Sequence, residues 1–227
     1  MKNITLLSLV LFLILVACQK DDEKQSGELD AELITLLERN SNGQGVDFFR
    51  MPMSTDLAAI PQDPRNPLNE AKVELGKHLY HETGLAVDPK RPEGKFTYSC
   101  ASCHHAPAGF QAGRKQGIGD GGAGFGLSGE GRAPNSLYLI EELDLQPIRT
   151  PSAMNGAWQP NMLWNGQFGA THLNVGTEAQ WEAETPKAVN HLGYEGLETQ
   201  AIAGLTVHRM DIEEDFCETT SYKQYFE

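Results

Sequence analysis

Cys100 and Cys103 stand three residues apart with His104 directly behind them, in the run CASCHHAPAG. Residues three and four apart share one face of a helix, so a helix opening at Cys100 would turn both thiols and the imidazole toward one object. Two thioethers to the edge of a haem, with His104 turned in to the iron, fit this CxxCH spacing. A zinc site needs four ligands, and the chain has no second cysteine pair to supply them. A thioredoxin-type dithiol would want a strand before it and gives His104 no task. A surface disulfide is the remaining alternative. The expectation is therefore one covalent haem c in this chain, with Cys100 and Cys103 as the thioether residues and His104 as the proximal iron ligand.

An exported chain suits that chemistry, and the N-terminus reads as an export signal. MKNITLLSLVLFLILVAC carries Lys2 and an apolar run from Ile4 to Ala17, about 14 residues against the roughly 20 that a spanning helix needs. It ends in LVAC, which resembles the bacterial lipoprotein signal, where cleavage falls just before the cysteine. Residues 1–17 are then a signal peptide and Cys18 a lipidation site. An uncleaved anchor helix and an ordinary signal with a bystander cysteine are the alternatives. The following QKDDEK resembles the acidic tag that some lipoproteins carry for export to the cell surface. The expected location is the bacterial cell envelope, with the chain attached to the membrane through its lipid and either facing the periplasm or on the outer surface.

Formal charge is −13, a poor match for nucleic acid or an anionic bilayer surface. A basic electron-donor protein would be attracted to such a surface, although net charge also serves solubility alone. With Cys18 acylated and two cysteines at the haem motif, Cys217 is solitary, so no disulfide framework is expected.

The elements that must position the trio are mostly helical. Residues 18–27 are polar and read as a flexible tether, and residues 28–66 as an N-terminal helix and an extended linker. The helix covers about Glu28 to Arg39, with Leu29, Leu33, Ile34, Leu36 and Leu37 on one side. The prolines of IPQDPRNP favour extended backbone. Residues 67–227 form the haem domain, with one helix over about Asn69 to Tyr80, another opened by the cysteine motif, a third from about Tyr194 and a last one within TTSYKQYFE. From Gly109 to Gly131 the chain is too glycine-rich for regular structure and reads as a loop passing close to something flat. A phosphate-cradling loop is rejected, since no strand precedes it and no GK[ST] follows. The class is mostly α, a cytochrome c-like domain with long irregular Gly-rich loops.

NPLNEAKVELGKHLYHETGLAVDPKRPEGKFTYSCASCHHAPAGFQAGR, then RTPSAMNGAW, LWNGQ and GLETQA, resemble in order the motifs of the bacterial di-haem cytochrome c peroxidases and their MauG-type relatives. The resemblance runs from about Pro67 to Met210. It implies a first, peroxidatic haem on Cys100, Cys103 and His104, and a second haem in a C-terminal domain that supplies an electron. The partners it implies are hydrogen peroxide and a small donor protein of the cytochrome c or cupredoxin type. It also implies that Trp164 bridges the two haems for electron transfer, where residues alone would favour plain core packing. Gln200 matches a glutamine near the distal face. Ten residues on, the family's proton-shuttling glutamate is replaced by Met210, so His208, Met210, Asp211 or Glu213 becomes the candidate group over the haem.

Further departures shape what is expected. Matching QGIGD to the loop that carries a distal histidine in many members puts Asp120 at that position. His105, His172 and His191 are other histidines, none singled out by spacing. Between Trp164 and Leu197 lies an insertion of about two dozen residues, read as a lid, with Trp181 inside it unassigned. Calcium stays open but unsupported, because Arg149 replaces the asparagine the family offers. No second CxxCH follows before Glu227, and the chain stops inside an amphipathic pattern. The expectation is a piece of a longer protein, a peroxidase that reduces hydrogen peroxide. An electron-carrier cytochrome closed by Met210 or His208 and a MauG-like oxidase of a protein substrate are the rival readings.

Overall fold

The computed structural model describes residues 23–125 and 129–226. The expected signal peptide, the lipid site Cys18 and the first part of the tether lie outside the described residues. The chain divides into two compact units, Met1–Met53 and Ser54–Glu227.

In the first unit helix α1 runs over Glu23–Asn40, so the tether is shorter than the polar composition suggested. Glu, Lys and Gln are good helix formers and continue the helix backward from the leucine stripe. The stripe itself is solvent-facing, with Leu29 and Leu33 both more than half exposed. After α1 the chain turns on Ser41, whose Oγ accepts from Gly45 N–H at 2.8 Å, into a 3-10 turn at Val46–Phe49.

The second unit begins ahead of residue 67, because the preceding residues are tied into it. Asp63 is buried and takes both the Nε and Nη2 of Arg65, while Asn66 donates to Glu198 at 2.6 Å. Helix α2, Glu70–His81, starts where expected. Its N-cap Asn69 accepts from Lys72 N–H at 2.9 Å, satisfying one of the free donors of the first turn. Helix α3 covers Gly196–Val207 and helix α4 covers Glu214–Thr219. The last helix thus falls on EDFCET, and residues 220–226 form a turn and a 3-10 turn at Lys223–Tyr225. There Tyr222 stacks on His78 at 4.5 Å and donates to Glu82 at 2.7 Å, which fixes the end of the described chain to α2.

The core sits where these elements meet. Leu85, Ala86, Tyr98 and Met210 form its buried centre, flanked by Leu79, Cys100, Leu205, Ile212 and Phe216. The glycine-rich stretch closes on itself through a two-stranded antiparallel ribbon, β1 (Gly122–Ala123) with β2 (Ala133–Pro134), registered Gly122 to Pro134. It wraps a side chain of its own: Arg132, 1% exposed, donates to the carbonyls of Ile118, Gly119 and Gly124. Glycine is required where the loop passes this guanidinium, since a Cβ on Gly122 would stand 2.5 Å from Arg132 Nε.

The inserted segment, residues 165–196, forms a satellite core with α3. Met162, Phe168 and Ala203 are buried together with Val189 against them. Trp181 is buried, donates to Thr177 at 3.1 Å and packs edge-on to His191. Fully buried Asn190 accepts from Gly169 N–H at 2.9 Å and donates to Gln167 C=O at 2.8 Å. Asn190→Ala is expected to leave the Gly169 N–H buried without a partner, at about 1–3 kcal/mol, and the part-buried Gln167 C=O without its donor. Denaturant unfolding would read this as a lower midpoint.

Candidate functional site

The cysteine motif does not open a helix. Cys100–Ser102 is a single 3-10 turn, extended by one α-type bond from His104 N–H to Cys100 C=O at 3.0 Å. Pro107 and Gly109 follow too closely for a helix to continue. One turn is enough, because Cys100, Cys103 and His104 still fall within it.

His104 is oriented by the loop behind it. Gly109 and Phe110 both adopt left-handed backbone, at φ 69° and 55°, and Phe110 N–H returns to His105 C=O at 2.9 Å. This tight turn aims the Phe110 carbonyl at His104 Nδ1, 3.0 Å away. A carbonyl only accepts, so Nδ1 carries the proton and Nε2 presents a lone pair, the state an iron ligand needs. Burial lowers the pKa of His104, the Phe110 and Pro151 carbonyls partly counter this, and the nearby charge of His208 adds to the lowering. Tyr80 of α2 donates to the His104 carbonyl at 3.0 Å, tying the motif to the helix before it.

The two thiols are free, and burial pushes both pKa values up. Cys103 is pushed to about 12, with the negative charge of Asp144 contributing. Such sites disfavour thiolate–metal bonding but suit thioethers, which carry no charge. Among the described residues no cluster of three or more His, Cys, Asp or Glu side chains is placed to hold a metal ion. Gly117 abuts Cys103, since a Cβ there would lie 2.8 Å from its sulfur.

Apolar surface is left uncovered beside this turn. Ala153 N–H donates to Phe110 C=O at 3.1 Å, which brings Met154 against Gly109, while Leu197 of α3 lies against Gly156. Met154, Trp158 and Leu197 are between 38% and 52% exposed. Gln200, half-buried, shares a helical face with Leu197 and Gly204, and a Cβ on Gly204 would meet nothing within 4 Å. An imidazole oriented through Nδ1, two thiols held in the same turn and the exposed apolar side chains of Met154, Trp158 and Leu197 fit a haem.

The other candidates separate. Met210 is 6% exposed and packs in the core cluster that Cys100 flanks. Asp120 is fully buried and committed: it accepts from Lys90 N–H, Tyr138 OH and Arg209. His105 is buried and donates to Ser102 C=O; His172 lies 3.7 Å from Glu195 and His191 donates to Trp181 C=O, both within the insertion. Arg149 donates to Ala112 C=O. Asp211 and Glu213 are exposed. Trp164 sits at the tip of a tight turn closed by Gly166 N–H to Leu163 C=O and is 98% exposed, so it is not a core residue. It borders an open cleft of about 300 Å³ lined also by Pro160, Asn161, Leu163 and Leu173. Sequence reasoning missed Phe110, whose carbonyl sets the His104 tautomer, and Asp144, which pairs with His208 at 2.7 Å. Neither carries a local signal, since both act on partners outside any shared motif.

A family model described as di-haem cytochrome c peroxidase matches residues 70–227. The chain is 32% identical over 153 residues to the cytochrome c peroxidase Ccp of Escherichia coli, covering 67% of this chain and 27% of that protein. It is 29% identical over 119 residues to the methylamine utilization protein MauG of Methylorubrum extorquens, covering 52% of this chain and 24% of that one. The chain thus spans about a quarter of the length of these relatives. No solved structure matches it at comparable significance. With the CxxCH turn, the oriented His104 and the ordered motifs after it, the chain belongs to the di-haem cytochrome c peroxidase family.

Proposed function

We propose that this chain is the peroxidatic haem domain of an enzyme that reduces hydrogen peroxide to water with electrons from a small redox protein. The observation that carries the reading is the His104 arrangement, in which Nδ1–H is fixed on Phe110 C=O in the same turn that holds Cys100 and Cys103. Haem, when bound, supplies the iron position at which peroxide is cleaved and electrons are taken up. The protein's part is to hold the ring through Cys100 and Cys103, to set the tautomer and basicity of His104, and to wall the site from water with Met154, Trp158 and Leu197. Gln200, on the α3 face shared with Leu197, is the residue proposed to donate a hydrogen bond toward that space. The metal-bound side of the chemistry then depends on whichever residue moves the proton.

Trp164 is the proposed electron entry, because an aromatic ring held almost fully in solvent has no packing reason to be there. Trp164→Ala is expected to change unfolding free energy by no more than about 0.5 kcal/mol while slowing steady-state turnover with a protein donor. Thermal unfolding and donor oxidation, measured side by side, check both halves.

The test of the function is peroxide consumption coupled to donor oxidation, two donor electrons per peroxide. The similarity to MauG supports a second reading, oxidation of a protein substrate. Rapid reaction with peroxide without turnover of any reduced redox protein would favour it. We also place the protein in the bacterial cell envelope, anchored through Cys18. What supports this is the LVAC sequence; among the described residues no helix is long and apolar enough to cross a membrane. Cys18→Ser should release the protein from the membrane fraction, and its retention there would sink the anchor.

A further inference from the structure

His208 and Asp144, 64 residues apart in sequence, meet through His208 Nδ1 and Asp144 Oδ2 at 2.7 Å. Their side chains are 29% and 12% exposed, so the pair is largely withdrawn from water yet open on one side. Both partners are held by backbone built for the purpose. Helix α3 stops at Val207, and Arg209 turns left-handed at φ 57°, a conformation costly for a residue with a Cβ. It is fixed there by Arg209 Nη1 on Asp120 and on Glu142 C=O, and by Tyr98 OH on the Arg209 carbonyl at 2.8 Å. Three successive residues are thereby sent in three directions: Met210 into the core, Arg209 to Asp120, His208 to Asp144.

Asp144 is fixed from the other side. Its N–H donates to Asp120 C=O at 3.0 Å and its carbonyl accepts from Gly119 N–H at 2.9 Å. Gly119 has no room for a Cβ because the Asp144 carboxylate occupies that space. The carboxylate takes the Nδ1–H of His208 and leaves Nε2 as the working nitrogen. The pair stands next to the haem motif: Gly119, which abuts Asp144, is two residues from Gly117, which abuts Cys103. Two other candidates are engaged elsewhere: position 210 is a core methionine, and Asp120 is occupied by three donors.

We propose that His208, oriented by Asp144, is the residue that moves the proton during peroxide cleavage; this rests on the peroxidase reading above. Nε2 of His208 takes the proton from one peroxide oxygen and delivers it to the other. The O–O bond breaks, and the oxygen that now holds both protons leaves as water. The remaining oxygen takes two electrons from the reduced donor protein and two solvent protons, giving the second water. Asp144 is a positioning residue that holds the imidazole and stabilises its transient charge.

The experiment compares His208→Leu, His208→Gln, His208→Glu and Asp144→Asn in the full-length, haem-loaded protein. The readouts are the second-order rate constant with peroxide in the absence of donor, fluoride affinity of the ferric protein, and the resting spin state. The Leu and Gln variants should lose about 10²–10⁴-fold in the rate constant. The Glu variant should recover part of it by restoring a proton carrier, and Asp144→Asn should lose about 10–100-fold. Fluoride should bind roughly tenfold more weakly to the Leu variant, which lacks the donor. Unchanged rate and fluoride affinity in both the Leu and Gln variants would overturn the proposal. So would a low-spin wild type that the Leu variant converts to high spin with faster peroxide reaction, since His208 would then be a ligand. A wild type inert to peroxide defeats the parent reading instead, and the fluoride series still decides whether His208 faces the iron.

Discussion

Cys100→Ser combined with Cys103→Ser is expected to yield a chain with no covalently attached haem and no peroxide reaction above background. Each thiol lies within one turn of His104, Cys103 buried and Cys100 half-buried, and both have a raised pKa. A neutral thioether is the state these sites accommodate, and a serine hydroxyl cannot form it. Without the two links the ring would depend on a single bond to His104 and on the apolar wall of Met154, Trp158 and Leu197. Intact mass under denaturing conditions reads the result directly. The double variant should weigh as polypeptide alone, the single variants should keep a fraction of haem through one link, and a haem-loaded double variant would refute the assignment.

Asp120→Ala should be the most damaging substitution away from the cofactor. The carboxylate is fully buried and joins three parts of the fold: Lys90 N–H before the haem motif, Tyr138 after the glycine-rich loop, and Arg209 after α3. Removing one member of a buried pair strands the other, at about 3–5 kcal/mol. Replacement by Asn keeps two of the acceptor contacts and should cost less. Because Arg209 fixes the backbone that aims His208, the Ala variant should also slow the peroxide reaction wherever it remains folded. Denaturant unfolding of the two variants orders them, and an Ala variant as stable as the parent would remove Asp120 from this role.

The parts of the fold that were legible in sequence are those with local causes. Asn69 before EAKVELGKHLYH marks the start of α2 because an N-cap and its helix are neighbours. The helix within LETQAIAGLTV is equally local. The CxxCH reading survives the loss of its expected helix, since one turn brings the three side chains together as well as several would. What stayed hidden depends on long-range partners. Nothing near Asp144 announces His208, and nothing near Asp120 announces Arg209, 89 residues away. The glycine-rich loop looked featureless because its organiser, the Arg132 guanidinium, bonds to backbone carbonyls rather than to any residue type a pattern could show. Met210 was ambiguous for a related reason: methionine serves packing and ligation alike, and its place beside Leu85, Ala86 and Tyr98 shows in the fold and not in the sequence. The insertion is read better as a second small core around Trp181 and Asn190 than as a lid, since its polar interior is satisfied where it stands.

Peroxide consumption by the full-length, haem-loaded protein, with a reduced small redox protein as its only electron source, tests the central claim most directly. The expected result is saturable turnover with two donor electrons consumed per peroxide, abolished when Cys100 and Cys103 are replaced. An iron that stays low-spin in excess peroxide, with the donor left reduced, would contradict it and mark the domain as an electron carrier.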